Sequence, residues 1–131
     1  MRQLAVLSAM LLLSACATMR SARPAPTPQW LVGAWLMVHQ GDRDLIGCSS
    51  FAPIAYNPDG TYALFDESGT WRLEGDRLTE TATEELDTAD PGTVHIGHPY
   101  VSRIRPVGRD EFIKTYATGA RETFLRCPPP E

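Results

Sequence analysis

Along most of the chain, apolar and aromatic residues occur in short runs that are separated by residues favouring turns. The clearest turn is the sequence Asn-Pro-Asp-Gly at 57–60. Proline presets φ, aspartate bonds its own backbone and glycine adopts a positive φ, so this sequence reverses the chain. Strand-forming residues flank it on both sides, which predicts a β-hairpin. Further along, Trp71 and Leu73 share one face of a predicted strand, while charged residues occupy the other face.

Closely spaced short strands are therefore the predicted architecture. No stretch beyond the N-terminal segment has an apolar period of 3.6 residues, although the composition of residues 80–89 also suits a helical turn. Further turns are predicted at 67–69, 75–76, 90–92, 108–110 and 118–119. The predicted strands are 32–39, 45–48, 51–56, 61–66, 70–74, 78–86, 93–97, 100–106, 111–117 and 121–127. Hairpins between neighbours predict an all-β fold, a small antiparallel up-and-down barrel of about eight to ten short strands, whose closure removes exposed sheet edges.

The N-terminal apolar segment has the form of a secretory signal peptide, assigned to residues 1–15. Arg2 and the α-amino group form its positive region, and residues 4–13 form its apolar region. The small residues Ser14 and Ala15 precede the cleavage position. The apolar run is shorter than the about 20 residues that a transmembrane helix needs. The segment is therefore predicted to direct export and not to span a membrane.

The end of this segment, Leu13-Ser14-Ala15-Cys16, resembles the lipobox of bacterial lipoproteins, which consists of an aliphatic residue, two small residues and a cysteine. The resemblance covers residues 1–16 and implies cleavage before Cys16 and transfer of diacylglycerol to its thiol. Two or more acyl chains anchor a protein stably, whereas one does not. Ala17 follows the cysteine, which in the enterobacterial sorting pattern implies a periplasm-facing lipoprotein of the outer membrane. The alternative is an ordinary cleaved signal peptide with an incidental cysteine.

Residues 16–29 are predicted to be the lipidated cysteine and a flexible tether, because alternating prolines favour an extended chain. The domain is assigned to residues 30–127, and residues 128–131 form a proline-rich tail. The chain carries 12 basic and 16 acidic residues, which gives a net charge of −4. A nucleic-acid-binding protein needs a basic face, so this acidic balance argues against nucleic acid as a partner.

The domain also resembles the lipocalin-like bacterial domains, small barrels that begin with a Gly-x-Trp strand and contain a DGTY and GTW.L.GD.L meander. The matching segments are LVGAW at 31–35, IAYNPDGTY at 54–62 and GTWRLEGDRLTET at 69–81. In that family the tryptophan closes the base of the barrel and often stacks on an arginine from a late strand. The resemblance implies this structural role for Gly33 and Trp35. It implies either Arg121 or Arg126 as the stacking partner.

Two cysteines, Cys48 and Cys127, remain once Cys16 is assigned to the lipid. An exported protein meets an oxidising periplasm, so a disulfide between Cys48 and Cys127 is predicted. Closing a loop of about 80 residues would stabilise the fold by about 4–5 kcal/mol. Free buried thiols are the alternative. A catalytic thiol is disfavoured, because neither cysteine has a histidine or a basic cluster beside it in the sequence.

No motif points to catalysis, to a metal ion or to a cofactor. His95 and His98 lack a third ligand of clear spacing and are interpreted as surface or loop histidines. The acidic residues of this region lack the spacing of a calcium loop and are interpreted as a solvated face. They are Glu80, Glu84, Glu85, Asp87 and Asp90. Nucleophile-elbow, phosphate-loop and zinc-protease motifs do not occur, so no catalytic residue is assigned and the protein is predicted not to be an enzyme.

The leading functional hypothesis is a membrane-anchored, non-enzymatic envelope lipoprotein whose barrel binds a small apolar or amphipathic ligand. The aromatic residues assigned to the ligand-binding surface, each of which also suits the core, are Tyr56, Tyr62, Phe65, Trp71 and Tyr100. The alternative is a periplasmic protein-interaction module, either similar to small barrel inhibitors of secreted proteases or a docking factor of the envelope. The expected partners are the membrane, through the lipid on Cys16, a small apolar ligand and an envelope protein.

Overall fold

A computed structural model describes residues 23–50, 52–86 and 89–131 of the chain. The predicted signal peptide, the predicted lipidation site Cys16 and residues 17–22 of the predicted tether lie outside the described residues. Within the described part of the chain, no helix is long and apolar enough to cross a membrane.

Eight antiparallel strands form a closed barrel in which neighbours in sequence pair and the last strand pairs with the first. The strands are β1 (Gly33–Val38), β2 (Ile54–Tyr56), β3 (Thr61–Ala63), β4 (Glu67–Glu74), β5 (Arg77–Glu85), β6 (Pro99–Pro106), β7 (Glu111–Tyr116) and β8 (Arg121–Arg126). A short helix, α1 (Pro28–Leu31), precedes β1, and a 3₁₀ helix spans Ile46–Ser49. The predicted all-β, lipocalin-like up-and-down barrel is confirmed.

The predicted hairpin around residues 57–60 joins β2 to β3. The amide of Gly60 donates to the carbonyl oxygen of Asn57 at 3.1 Å, and Gly60 has a φ of 84°. This positive φ is the conformation that glycine adopts without a steric penalty. Local turn chemistry therefore accounts for this part of the fold.

Two predicted strands are wrong. Residues 45–48 belong mainly to the 3₁₀ helix, because the carboxylate of Asp44 accepts the Ile46 amide at 2.9 Å and competes with strand pairing. Residues 93–97 lie in the connection between β5 and β6. There Gly97 has a φ of 77° and its amide donates to Ala82 O at 2.8 Å, so the segment folds back on β5.

The predicted turn at 67–69 is also wrong, because β4 already begins at Glu67. The chain reverses before β4 begins, at residues 64–66, where the amide of Leu64 donates to Glu67 O at 2.8 Å. Gly69 lies within β4 at a β-bulge, since the register between β4 and β5 shifts between Ser68 and Gly69. A glycine in a strand often marks such a close approach of backbones.

The two ends of the barrel differ. One end of the barrel carries helix α1 and the turns 57–60, 75–76 and 107–110. We call this end of the barrel the closed end. There the indole N–H of Trp35 donates to Leu31 O at 2.7 Å, and the rings of Trp35 and Phe112 lie 4.7 Å apart. All three side chains are fully buried. The opposite, open end carries the described parts of the connections from β1 to β2 and from β5 to β6, together with the turns at 64–66 and 117–120.

The predicted disulfide between Cys48 and Cys127 is present and closes a sequence separation of 79 residues. It joins the 3₁₀ helix to the end of β8, and Gly47 of that helix packs against Leu36 on β1. The bond therefore holds the long β1–β2 connection against the outer wall of the barrel. Closing a loop of this length reduces the conformational entropy of the unfolded chain, which stabilises the folded state by about 4–5 kcal/mol.

Candidate binding cavity

The barrel interior is filled at the closed end, and a cavity of about 340 Å³ occupies the open end. Its apolar lining residues are Met37, Ala52, Ile54, Leu64 and Phe124. Its polar lining residues are Tyr62, Glu67, Glu80, Thr93, His95, Tyr100, Lys114, Tyr116 and Glu122. Thr93 and His95 belong to the connection between β5 and β6, so this connection borders the mouth of the cavity.

A buried ion pair between Glu80 on β5 and Lys114 on β7 forms part of the cavity lining. Lys114 Nζ donates to Glu80 Oε2 at 2.6 Å, and the Tyr56 hydroxyl donates to Glu80 Oε1 at 2.5 Å. Only 8% of Glu80 and 5% of Lys114 are exposed. Charges buried to this extent need partners, and here both carboxylate oxygens have one.

The alternation of the strands explains why these charged residues point inward. Leu78, Glu80 and Ala82 are the buried positions of β5, and Lys114 follows Phe112 at the same two-residue spacing on β7. The interpretation of Glu80 as part of a solvated face is therefore wrong. The neighbouring acids of that group that the structure describes, Glu84, Glu85 and Asp90, are exposed, whereas Asp87 lies outside the described residues.

Two further tyrosine–glutamate pairs line the cavity. The Tyr62 hydroxyl donates to Glu67 Oε1 at 2.6 Å, and the Tyr116 hydroxyl donates to Glu122 Oε2. Glu67 begins β4, and Glu122 lies at the start of β8. Since β4 and β8 are four strands apart in a closed barrel of eight, the two pairs lie on opposite sides of the cavity.

Burial raises the pKa of all three tyrosine hydroxyls that donate to a glutamate. For Tyr56 burial is the largest cause, and the negative charge of Glu80 adds to it. Burial is also the main cause of the raised pKa of Tyr62 and Tyr116, followed by their hydrogen bonds to carboxylates. The raised pKa values keep these hydroxyls protonated into alkaline solution, so they act as fixed donors to the carboxylates.

The ammonium group of Lys114 lies over two aromatic rings of the cavity. Its Nζ is 5.3 Å from the ring centre of Tyr116 and 5.7 Å from that of Phe124. Both distances are within the range in which an aromatic face attracts a cation. The aromatic lining is thus placed to stabilise positive charge.

The five aromatic residues assigned to ligand binding from the sequence occupy three environments. Tyr62 and Tyr100 line the cavity. Tyr56 and Trp71 pack against each other in the barrel interior, with ring centres 5.6 Å apart. Phe65 lies in the turn between β3 and β4 and is about half exposed, at 49%.

The residues that bring charge into the cavity, together with Tyr116, were not assigned to it from the sequence; they are Glu67, Glu80, Lys114, Tyr116 and Glu122. One available signal was the spacing of Phe112, Lys114 and Tyr116, which places a lysine on the same strand face as two aromatic residues. A lysine flanked in this way points into the barrel unless the whole face is exposed. The partner of this lysine, Glu80, is 34 residues away and cannot be identified by spacing.

The structure places Trp35 beside Arg126 and not beside Arg121. The guanidinium carbon of Arg126 lies 4.1 Å from the Trp35 ring centre, at the closed end. Gly33 provides room for it, because a Cβ at this position would lie 2.9 Å from Arg126 Nη1. Arg121 is exposed at the opposite end of β8.

His95 and His98 lie in the connection between β5 and β6, and both are exposed. The ring of His98 lies 5.3 Å from that of Tyr100. Among the residues that the structure describes, no group of three or more histidine, cysteine, aspartate or glutamate side chains is arranged to hold a metal ion.

The fold and the cavity define a small lipocalin-like antiparallel barrel that is closed at one end and hollow at the other. Comparison of the chain with protein-family models, with curated proteins and with solved structures gives no match in any of the three. Since a fold does not by itself define a function, the chemistry of the cavity is the basis for a functional proposal.

Proposed function

We propose that this protein is a lipoprotein of the cell envelope whose barrel binds a small amphipathic ligand in the cavity. The observation that carries the proposal is the cavity of about 340 Å³, which combines an apolar wall with buried polar groups. Pockets that hold small molecules have volumes of about 300–1,000 Å³ and a few fixed polar groups in an apolar lining. Ile54, Leu64 and Phe124 suit the apolar body of such a ligand, whereas the tyrosine–glutamate pairs suit a polar group.

The contact of Arg23 with the closed end supports an orientation for the anchored protein. Arg23, the first described residue, donates from Nη1 to Pro106 O at 2.8 Å, at the closed-end terminus of β6. Cys16 lies seven residues earlier, a reach of at most about 25 Å. A lipid on Cys16 would hold the closed end near the membrane and leave the mouth of the cavity facing the periplasm.

Native mass spectrometry tests the binding proposal. The full-length protein is made in its own cell and transferred from the membrane into lipid nanodiscs, and its mass is measured as wild type and as Met37→Trp. Met37 lines the mouth and is 53% exposed, so a tryptophan narrows the mouth without overpacking the core. We expect a stoichiometric additional mass in the wild type that is depleted in this variant.

The matched control is Ala120→Trp, at an exposed turn of the same end that does not line the cavity. It should retain the additional mass. Bare wild-type protein in repeated preparations would overturn the binding proposal, and equal depletion in both variants would show that the mass is not held in the cavity.

The anchor is tested independently of the ligand. Growth with radiolabelled palmitate should label the wild-type protein and not Cys16→Ala. The same variant should leave the membrane fraction. Labelling of the variant, or an unlabelled wild type, would contradict the lipoprotein assignment.

Exposed apolar side chains at the open end favour docking of an envelope protein as a second candidate function. Ile96 and Met37 are 54% and 53% exposed, and Tyr100 is 44% exposed. A photo-crosslinking residue at position 96 should then capture one partner in living cells. The control is the same residue at Val107, on the closed end. Failure to capture a discrete partner at position 96 would remove this candidate.

A further inference from the structure

The charges that line the cavity are unbalanced. Among the described residues, three carboxylates, those of Glu67, Glu80 and Glu122, line it together with one ammonium group, that of Lys114. Lys114 is paired with Glu80. Among the ion pairs of the described residues, none includes Glu67 or Glu122. Each of these two carboxylates accepts a hydrogen bond from a tyrosine, which orients it without neutralising its negative charge.

The aromatic side chains that line the cavity also favour a positively charged ligand. Tyr62, Tyr100 and Tyr116 line the same cavity as Glu67 and Glu122. Aromatic faces together with carboxylates attract organic cations and are unfavourable for anions. The ammonium of Lys114, over the rings of Tyr116 and Phe124, already shows this preference within the protein.

We infer that the ligand is a small organic cation with an apolar body, such as a substituted amine or quaternary ammonium compound, held between the Tyr62–Glu67 and Tyr116–Glu122 pairs. This inference rests on the proposed ligand-binding function and adds the chemical class of the ligand. The opposite placement of the two pairs puts a carboxylate on each side of the cation. The apolar wall formed by Ile54, Leu64 and Phe124 receives the apolar body.

Three water-soluble probes that share a phenyl ring test the sign of charge. Benzyltrimethylammonium is cationic, phenylacetate is anionic and benzyl alcohol is neutral. Isothermal titration calorimetry measures each against the full-length protein in nanodiscs, with empty nanodiscs subtracted. We expect the cation to bind about tenfold or more tightly than either other probe, the ratio that a desolvated cation–π contact alone provides.

Charge-neutral variants identify the groups responsible. Glu67→Gln and Glu122→Gln keep an acceptor for the tyrosine hydroxyl but remove the charge, so each should weaken binding of the cation by about tenfold and leave benzyl alcohol unaffected. The matched control is Glu74→Gln, an exposed glutamate at the other end of β4, which should bind the cation as the wild type does.

The possible outcomes distinguish the cationic ligand class from the ligand-binding function on which it rests. Equal or tighter binding of phenylacetate or benzyl alcohol would overturn the cationic ligand class and leave a ligand-binding barrel. Equal loss in the control variant would show that the two glutamates do not form the site. Absence of binding by benzyltrimethylammonium would also overturn the inference, while the additional mass in native spectra decides the binding function independently.

Discussion

The guanidinium carbon of Arg126 lies 4.1 Å from the centre of the Trp35 ring. The same guanidinium donates to the carbonyl oxygens of Val32 and Trp30, at 2.9 and 2.6 Å, and its Nε donates to Asp110 at 3.0 Å. One side chain at the end of β8 therefore joins the residues that lead into β1 and the turn before β7. These contacts close the barrel at the end opposite the cavity.

Replacing this arginine with lysine should weaken the closed end. Lysine cannot stack a planar group on Trp35 and donate to two carbonyl oxygens at once. Arg126→Lys should therefore lower the free energy of unfolding by about 1–3 kcal/mol, as measured by urea denaturation. Arg121→Lys, on the exposed start of the same strand, should stay within about 0.5 kcal/mol of the wild type. Equal losses in the two variants would contradict the closing role of Arg126.

The parts of the fold that follow local rules were predictable from the sequence. The turn at 57–60 and the alternation around Trp71 depend on neighbouring residues alone, and both are present in the barrel. The errors have non-local or side-chain causes. Residues 46–48 belong to a 3₁₀ helix because the Asp44 side chain bonds the backbone, and Gly69 lies in a strand because the neighbouring strand β5 approaches it closely. Neither cause changes the apolar pattern from which the strands were predicted.

Gly69 should not tolerate a side chain. A Cβ at this position would lie 2.1 Å from Thr81 O and 2.8 Å from the Cα of Ala82, both of which are backbone atoms of β5. The strands must separate to relieve this overlap, so Gly69→Ala should lower the free energy of unfolding by about 1–3 kcal/mol or more. Urea denaturation measures the loss.

The matched control for Gly69 is Gly108→Ala. A Cβ on Gly108 has no neighbour within 4 Å, and the backbone there does not adopt a positive φ. This change should be neutral, or stabilising by up to about 1 kcal/mol, because alanine reduces the entropy of the unfolded chain. A Gly69→Ala protein as stable as the wild type would show that β4 and β5 do not approach closely at the bulge.

The three raised tyrosine pKa values predict a loss of stability in alkali. Above pH of about 10, an unfolded chain loses its phenolic protons while Tyr56, Tyr62 and Tyr116 retain theirs in the folded state. The folded state then binds more protons than the unfolded state, so the free energy of unfolding falls as the pH rises. Below that pH the contribution of these groups to stability is constant.

Spectroscopic titration checks this prediction. Of the four tyrosines in the chain, three should ionise only as the native circular dichroism signal is lost. Tyr62→Phe should reduce the steepness of the loss, since one fewer group titrates late. Ionisation of all four phenols while the native signal persists would contradict the buried tyrosine–glutamate pairs.

The candidate site was predictable in residue type but not in arrangement. Five aromatic residues were assigned to the ligand-binding surface by residue type, and two of them, Tyr62 and Tyr100, line the cavity. The charged groups depend on register across the barrel, because Tyr56 and Glu80 are 24 residues apart and Glu80 and Lys114 are 34 residues apart. Because the strand register is not known from the sequence alone, these side chains cannot be paired from it.

Removing one partner of the Glu80–Lys114 ion pair should destabilise the protein strongly, whereas removing both charges should not. Lys114→Met leaves the Glu80 carboxylate buried with only the Tyr56 hydroxyl as a partner. An uncompensated buried charge of this kind costs about 3–5 kcal/mol. Adding Glu80→Gln removes the charge and keeps an acceptor for Tyr56, so the double variant should recover most of the stability. Urea denaturation of both single variants and the double variant measures this coupling.

An exposed ion pair of the same chain is the control for the buried one. Arg103 Nη1 lies 2.5 Å from Asp76 Oδ1, but the two side chains are 67% and 50% exposed, respectively. Arg103→Met should therefore cost no more than about 1 kcal/mol, because water screens the charge that remains. If Lys114→Met costs as little, the barrel interior is hydrated enough to screen Glu80. If the double variant is as unstable as Lys114→Met, the loss comes from the packing of the lysine and not from the unpaired carboxylate.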